Sequence, residues 1–220
     1  MPPVQPSQHF ASCIPRNLKM AASKLKLHYF DVRGRAEVDR LILAAAGKDF
    51  DEVRFSLEDW PSHKPKSPYG QAPWMEVDGV PFAQSLAIHS FLARELGFHG
   101  RTSLEMFKID EIVHLLDELF TLAASNYHID DEEEKAEDAR KIKEQEAPKF
   151  LGFFEEILQK NETGYLVGDR LTLADIALFD ACTGFLSDYM ELTHDYPMVQ
   201  HNVELVKGND KIAEYLVSRN

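Results

Sequence analysis

Four short segments hold most of the residues in this chain that could do chemistry. They supply a tyrosine at a strand end, a basic clamp, a proline turn and a helix start: Tyr29 with Arg35, Trp60 with Lys64, Gln71-Ala72-Pro73, and Gln84-Ser85. Hydroxyl, ammonium and free backbone N–H groups are the donors that bind thiolates and carboxylates. This combination is what a site for an acidic thiol peptide requires.

Tyr29 is the candidate catalytic residue, although a lone tyrosine in a strand is otherwise structural. A phenol is a hydrogen-bond donor that stays neutral at pH 7, because its ordinary pKa is about 10. A free thiol has a pKa of about 8.5, so it is mostly in its unreactive form at neutral pH. Lowering that value by about two units requires ~2.7 kcal/mol of differential stabilisation. One O–H···S⁻ hydrogen bond from Tyr29, aided by Arg35, can supply that in a dry cleft.

The overall charge restricts the classes of partner. The chain has 37 acidic and 24 basic residues, which gives a net charge of −13. Such a surface repels nucleic acid phosphates, and without a basic patch we expect no nucleic-acid binding. An anion site must therefore gather its own positive groups, and the basic run of Arg33, Arg35 and Arg40 is expected to do so. At Gln84-Ser85 the start of a predicted helix offers free N–H groups and the helix dipole to a carboxylate.

The first part of the chain shows an α/β pattern. Alternation over 24–30 predicts a strand in which Leu25, Leu27 and Tyr29 share one face. An Asp78-Gly79 turn predicts a hairpin within 72–82. The remaining predicted elements are a helix over 36–46, a strand over 50–55, an irregular loop over 60–68, and a helix over 86–96 that Ser85 caps. This order of elements predicts a thioredoxin-like α/β layer.

Beyond residue 100 the pattern is helical only. Helices are predicted over 103–127, from 130 to about 158, from Leu173, and after Pro197 and Asn209. We interpret the charged run over 130–146 as the solvated face of a long helix and not as a metal site. Thr172 and Asp175 form a capping box, so loss of Asp175 should cost about 0.5–2 kcal/mol of stability. The domains predicted are a flexible extension over 1–23, an α/β domain over 24–98 and an all-α domain over 104–220.

Cysteines and short signals say less. Cys13 and Cys182 are the two cysteines; they form no metal or redox spacing, and Cys182 is expected to be a buried small residue. No apolar run reaches the ~20 residues that span a membrane, so no membrane insertion is expected. Asn161-Glu162-Thr163 is a glycosylation sequon, which matters only in a secreted protein. Together with the extension over 1–23, it suggests a secreted, glycosylated form.

These segments resemble the glutathione-binding half of cytosolic glutathione transferases, most closely the sigma class and its helminth members. The resemblance covers the chain except its extension and rests on Tyr29-Phe30-Asp31-Val32-Arg33-Gly34-Arg35 and the other three segments. It implies a thioredoxin-like domain followed by an all-helical domain. Trp74 is bulkier than the valine or isoleucine expected after the proline, and we interpret it as an interior aromatic residue.

The resemblance also implies the role of each site residue. Tyr29 and Arg35 are the implied catalytic residues. Trp60 and Lys64 would bind the glycine carboxylate of glutathione, and Gln71 would add a polar contact. The backbone of Ala72, before a cis Pro73, would pair with the cysteinyl part. Gln84 and Ser85 would bind the γ-glutamyl carboxylate. Asp117 of a partner subunit, with Glu118 as the alternative, would bind the α-amino group.

The implied activity is attack of the glutathione thiolate on hydrophobic electrophiles held in a cleft of the all-α domain. Glutathione is then a co-substrate, and no metal is required. Family behaviour implies a homodimer with Tyr69 as a possible interface aromatic, and a cytoplasmic location. Two alternatives stay open: a prostaglandin D synthase that isomerises an endoperoxide with the same thiolate, and a non-catalytic carrier or crystallin. A thiol-disulfide oxidoreductase would need a cysteine at Tyr29 or Val32, and neither position has one.

Overall fold

The computed structural model describes residues 22–187 and 195–219. Cys13 and all but the last two residues of the extension over 1–23 lie outside the described residues. The described chain forms two compact units. The first contains the chain through Ala36 together with Lys48–Ile88, and the second contains Glu37–Gly47 together with the chain from His89 onward.

A four-stranded mixed sheet forms the centre of the first unit. Its strands are β1 (Leu25–Phe30), β2 (Asp51–Phe55), β3 (Trp74–Val77) and β4 (Val80–Ala83), in the order β2-β1-β3-β4. β2 runs parallel to β1, whereas β3 and β4 are antiparallel to their neighbours. Leu25, Leu27 and Tyr29 are buried, as the alternation predicts. The predicted thioredoxin-like α/β arrangement is confirmed.

The β3–β4 hairpin is confirmed at the predicted turn. Asp78 and Gly79 have φ angles of 51° and 82°. Positive φ at both central residues is the requirement of a type I′ turn, which matches the twist of the two strands. The Asp78 backbone N–H donates to the Lys24 carbonyl, and the Lys24 N–H donates to the Asp78 side chain, both at 2.9 Å.

The loop predicted over 60–68 is wrong in one respect. The structure has a short helix α2 (Trp60–His63) that continues into a 3-10 turn over Lys64–Lys66. Pro61 and Pro65 are the second residues of these two turns. A proline is tolerated there because its missing N–H has no partner in a first turn. Prolines ordinarily indicate a turn or loop, but here they lie in the first turns of short helices.

Two further helices flank the segments of interest. They are α1 (Glu37–Ala46), preceded by a 3-10 turn over Gly34–Ala36, and α3 (Ser85–Leu96). The prediction that Ser85 caps α3 is wrong by one residue, because Ser85 is already helical. The Gln84 carbonyl accepts the Ile88 N–H at 3.0 Å, so Gln84 holds the capping position with a φ of 77°.

Helices alone build the rest of the described chain, as predicted. They are α4 (Ser103–Ser125), α5 (Glu132–Lys141), α6 (Ala147–Asn161), α7 (Leu173–Thr183), α8 (Pro197–Lys207) and α9 (Asp210–Ser218). A π-helical stretch over Ile142–Glu146 joins α5 to α6. No residue of α5 is buried, which confirms the solvated charged face. Cys182 is buried in α7, and burial raises the pKa of its thiol to about 12.

The charged residues of α1 correct one prediction. Arg40 was expected to help attract an anion, but it is buried, and its guanidinium donates to the Glu37 carboxylate at 3.0 Å. The same carboxylate accepts the Tyr215 hydroxyl at 3.1 Å and the Arg219 guanidinium at 2.6 Å. Burial and this carboxylate raise the pKa of Tyr215. The charge of Arg40 is thus neutralised inside the second unit.

The capping box of α7 is confirmed and is part of a larger network. The Asp175 carboxylate accepts the Thr172 backbone N–H at 2.8 Å and the Thr172 hydroxyl at 2.7 Å. It also accepts the Leu166 N–H at 2.8 Å and the Asn202 amide at 2.9 Å. Burial raises the pKa of Asp175, and these four hydrogen bonds oppose that rise. One carboxylate therefore fixes three separate segments of the second unit.

Candidate active site

Tyr29 ends a buried row of the sheet and turns its hydroxyl toward the following loop. Its side chain is buried, and the hydroxyl oxygen accepts the backbone N–H of Arg35 at 3.1 Å. A phenol oxygen that accepts an N–H can donate its own O–H at the same time. The two residues predicted to be catalytic are therefore in direct contact.

Gly34 makes that contact possible. It has a φ of +44°, and a Cβ at this position would lie 2.6 Å from the Tyr29 hydroxyl oxygen. Real side chains cannot approach so closely, so any other residue would displace the phenol or the loop. Gly34 was named above only as one residue of the Tyr29–Arg35 segment, and this role was not predicted. The signal was its position between the tyrosine and Arg35.

Trp60 and Lys64 lie on the two consecutive turns that follow β2. The Trp60 ring packs against Phe30 and Phe55, and no described residue accepts a hydrogen bond from its indole N–H. Lys64 is exposed, and within residues 22–187 and 195–219 no carboxylate pairs with its ammonium group. Both donors are therefore available to an anion that binds beside α2.

The proline turn and the start of α3 are brought together. The Ala72–Pro73 peptide bond is cis, as the resemblance implies. The Gln84 amide donates to the Gln71 side-chain oxygen at 3.0 Å. The Gln71 backbone N–H donates to the Ser67 hydroxyl at 3.1 Å, and that hydroxyl donates back to the Gln71 carbonyl.

The backbone of Gln84 is unusual. A φ of 77° is rare for a residue with a side chain and marks local strain. Such strain persists only where the surrounding structure enforces it, and it concentrates at binding and catalytic sites. Ser85, the next residue, is buried at the first turn of α3. The helix start predicted to bind a carboxylate thus has an enforced geometry.

The predicted site residues fall into two groups. Nine belong to the first unit: Tyr29, Arg35, Trp60, Lys64, Gln71, Ala72, Pro73, Gln84 and Ser85. Asp117 lies in the second unit on α4, where its side chain is half-buried and that of Glu118 is exposed. The structure brings Tyr29 to Arg35 and Gln71 to Gln84.

The sequon residue Asn161 ends α6 with its side chain turned into its own loop. The amide nitrogen donates to the Thr163 hydroxyl at 2.6 Å, the Gly168 carbonyl at 2.7 Å and the Tyr165 carbonyl at 2.8 Å. Glycosylation modifies this nitrogen. Attachment of a glycan therefore requires these hydrogen bonds to open.

Three further features of the described residues bear on what the chain can bind. No helix there is long and apolar enough to cross a membrane. The same residues contain no group of three or more His, Cys, Asp or Glu side chains placed to hold a metal ion. A cleft of about 330 Å³ lies along α5 and the π-helical stretch, and none of the predicted site residues lines it.

Two family models match this chain. The model described as the glutathione S-transferase N-terminal domain matches residues 25–94. The model described as the glutathione S-transferase C-terminal domain matches residues 117–219. The first match contains nine of the predicted site residues, and the second begins at Asp117.

Similar proteins cover almost the same length. The probable glutathione S-transferase 7 of Caenorhabditis elegans is 34% identical over 88% of this chain and 96% of its own. The hematopoietic prostaglandin D synthase of Gallus gallus is 36% identical over 88% of this chain and 96% of its own. The monomeric Na-GST-3 of Necator americanus, a solved structure, is 30% identical with a TM-score of 0.81 over 90% of this chain and 98% of its own. This chain therefore belongs to the glutathione S-transferase family.

Proposed function

We propose that this glutathione transferase holds the thiol of glutathione as a thiolate at Tyr29 for attack on hydrophobic electrophiles. The observation that supports this most is the 3.1 Å contact of the Tyr29 hydroxyl with the Arg35 N–H, beside a glycine that leaves room for the phenol. The N–H polarises the hydroxyl by donating to it, which strengthens the bond that the hydroxyl can donate to sulfur.

The reaction needs no redox partner. The thiol proton passes to solvent, and the sulfur lone pair forms a C–S bond to an electrophilic carbon. The electron pair of the broken bond leaves with a leaving group or, in an addition, takes up a proton. Tyr29 stabilises the negative charge on sulfur and keeps its own proton.

The tripeptide is bound along the first unit. Trp60 and Lys64 bind the glycine carboxylate with the two donors that no described residue occupies. Gln71 adds a polar contact, and the Ala72 backbone before Pro73 pairs with the cysteinyl part as an added strand. Gln84 and Ser85 present the N–H groups at the start of α3 to the γ-glutamyl carboxylate.

Conjugation of glutathione to 1-chloro-2,4-dinitrobenzene tests the thiolate role of Tyr29. We expect Tyr29→Phe to lower kcat/KM by about 25-fold at pH 7, because the thiolate fraction falls by about that factor when the thiol pKa rises from about 6.5 to about 8.5. The Kd for glutathione should stay near the wild-type value. Equal activity in both proteins would remove Tyr29 from its role and move it to Arg35. Tight glutathione binding without turnover in either protein would indicate a carrier or a crystallin-like protein.

A second candidate function uses the same thiolate. The similarity to the prostaglandin D synthase of Gallus gallus, at 36% identity, favours isomerisation of a prostaglandin endoperoxide. Glutathione would act there as a cofactor that is regenerated in each cycle. Turnover of the endoperoxide by the wild type, and its loss in Tyr29→Phe, would establish this activity. Conjugation without endoperoxide turnover would exclude it.

The assembly and location belong to the same proposal. In a sigma-class homodimer, Asp117 of one subunit binds the α-amino group of glutathione in the site of its partner, and Tyr69 lies at the interface. Light scattering on the purified protein decides this, and a monomeric mass would remove Asp117 from the site. A cytoplasmic location is expected from the family. A mass unchanged by glycosidase in protein recovered from animal-cell medium would exclude the secreted, Asn161-glycosylated form.

A further inference from the structure

The two ends of the proposed glutathione site are joined by one aromatic ring. Phe30 makes an edge-to-face contact with Tyr29, with ring centroids 5.4 Å apart and an angle of 69°. The same ring lies 5.4 Å from Trp60 at 58°. Tyr29 is proposed to hold the sulfur and Trp60 the glycine carboxylate. Phe30 therefore contacts both residues without being one of the proposed ligands.

The ring of Phe30 belongs to a larger aromatic cluster, which consists of His28, Phe30, Phe55, Trp60, His63 and Trp74. Phe55 is its centre and lies 5.0 Å from Phe30 in an edge-to-face contact. It also stacks on Trp60 at 5.6 Å and on His63 at 4.4 Å. Phe55 is buried in β2, so the rings above it are fixed to the sheet.

The base of the cluster is equally rigid. Trp74 is buried in β3, and its ring lies 5.8 Å from Phe55. Trp74 stacks on His28 at 4.4 Å with an angle of only 9°. The bulky residue that departs from the family pattern after the proline therefore supports Phe55, which supports Trp60.

Ring contacts are what orient the Trp60 side chain. Its indole N–H has no acceptor among the described residues, so no hydrogen bond sets its direction. A binding group works well only when its position is held within about half an ångström by the residues around it. Aromatic pairs prefer edge-to-face and offset-stacked geometries, which restrict both the position and the tilt of a ring.

We propose that Phe30 is a positioning residue that holds Tyr29 and Trp60 in a fixed relation, and so couples binding of the glycine carboxylate to stabilisation of the thiolate. This inference rests on the proposed function. Phe30 is only half-buried, unlike Phe55 and Trp74. Its ring therefore fills less of the core than theirs, and its removal should change the site more than the fold.

The two tryptophans of the chain, Trp60 and Trp74, both belong to the cluster. A Trp74→Phe protein keeps an aromatic ring at the base and leaves Trp60 as the single fluorescent reporter. We would titrate glutathione into this protein and measure the Kd from Trp60 emission. The pKa of the bound thiol would be read from the ultraviolet absorbance of the thiolate as a function of pH.

Three further variants in that background separate position from stability. Phe30→Leu removes the ring, and Phe30→Tyr keeps it. Phe82→Leu is the matched control, because Phe82 is a partly exposed phenylalanine on β4 of the same unit and lies outside the aromatic cluster. We expect Phe30→Leu to raise the Kd about five-fold, a factor typical of one lost aromatic pair, and to raise the pKa of the bound thiol. Phe30→Tyr and Phe82→Leu should match the parent protein in both values.

The outcomes are distinct. An unchanged Kd and thiol pKa in Phe30→Leu would overturn the inference, and so would equal losses in Phe30→Leu and Phe30→Tyr. If Phe30→Leu does not fold, Phe30→Met replaces the ring with a flexible side chain of similar size and carries the same expectations. Absence of glutathione binding in the wild type itself would overturn the proposed function, and this inference with it, whereas normal binding in the wild type with no change in Phe30→Leu would overturn the inference alone.

Discussion

Two sets of polar groups, one in each unit of this protein, differ in how they are satisfied. In the second unit, the buried carboxylates of Glu37 and Asp175 accept three and four hydrogen bonds from side chains and backbone of the same unit. In the first unit, Trp60 and Lys64 present donors to which no described residue is bonded. Groups satisfied internally stabilise a fold, whereas groups left open at the surface can bind a ligand. Substitution of these buried carboxylates should therefore affect stability, and substitution of these open donors should affect binding.

The largest effect is expected at Asp175. Asp175→Ala leaves four donors without an acceptor in a region closed to water, and breaking a buried network of this kind costs about 3–5 kcal/mol. This exceeds the ~2 kcal/mol at most that a helix cap alone predicts. Urea unfolding of the variant measures the difference. The control is Asp169→Ala, whose exposed pair with Arg101 should contribute less than about 1 kcal/mol. Equal losses in the two variants would contradict the contrast between buried and exposed carboxylates.

A smaller effect is expected at the C-terminal end of α9. Arg219→Ala removes one of the three donors to Glu37, while Arg40 and Tyr215 stay in place. A charge-assisted hydrogen bond that is largely shielded from water contributes about 2 kcal/mol. Lys207→Ala removes an exposed lysine that lies 3.4 Å from Glu204 and should change the free energy of unfolding little. If Arg219→Ala lowers the free energy of unfolding no more than Lys207→Ala does, the hydrogen bond from Arg219 to Glu37 is not stabilising.

These networks also mark how far sequence could predict the fold. The hairpin at Asp78 and the capping box at Asp175 were predictable because their chemistry lies within four residues of chain. Arg40 was misinterpreted because its environment is not local. The hydroxyl and guanidinium that surround its partner Glu37 come from residues 178 and 182 positions further along the chain. A basic residue in a basic run gives no sign that it will be buried against such distant groups.

The candidate site, like the fold, could be predicted from the sequence only in part. Motifs identified Tyr29, Arg35 and the other proposed ligands, because spacing and residue type are visible in a sequence. Backbone geometry was not visible: Gly34 against the Tyr29 hydroxyl and the positive φ of Gln84 emerge only from the folded chain. The aromatic cluster was not predicted either, because its rings come from three strands and from the short helix α2, which was predicted to be a loop.

The proposed ligands of the first unit should respond in binding instead of stability. Lys64→Gln removes a cation that no described residue pairs with, so we expect a Kd for glutathione about five-fold higher and an unchanged midpoint of urea unfolding. The loss should be greatest at low salt, because salt screens exposed charges. Lys66→Gln is the matched control from the same 3-10 turn and should bind as the wild type does. A similar Kd for both variants would show that charge on this turn acts in general and that Lys64 has no particular role.

The smallest expected effect is the pH dependence of stability that comes from one buried histidine in each unit. In the first unit, burial lowers the pKa of His28 below 6.5, although the Glu76 carboxylate 3.0 Å away opposes this; Lys26 and His63 add to the lowering. In the second unit, burial likewise lowers the pKa of His99. The Asp110 carboxylate opposes this lowering, and Arg94 adds to it. In both cases the unfolded chain takes up the proton first as the pH falls below 6.5. The free energy of unfolding should therefore decrease in that range and stay level above it.

His28→Phe separates the two contributions. The phenylalanine keeps a ring against Trp74, which His28 stacks on at 4.4 Å, but it cannot take up a proton. The variant should retain the part of the decrease that His99 causes and lose the part that His28 causes. The difference in unfolding free energy between variant and wild type should then grow in favour of the variant as the pH is lowered from about 7 to 5. Parallel curves over this range would mean that Glu76 offsets the burial of His28 fully, and that the aromatic base of the site does not respond to pH.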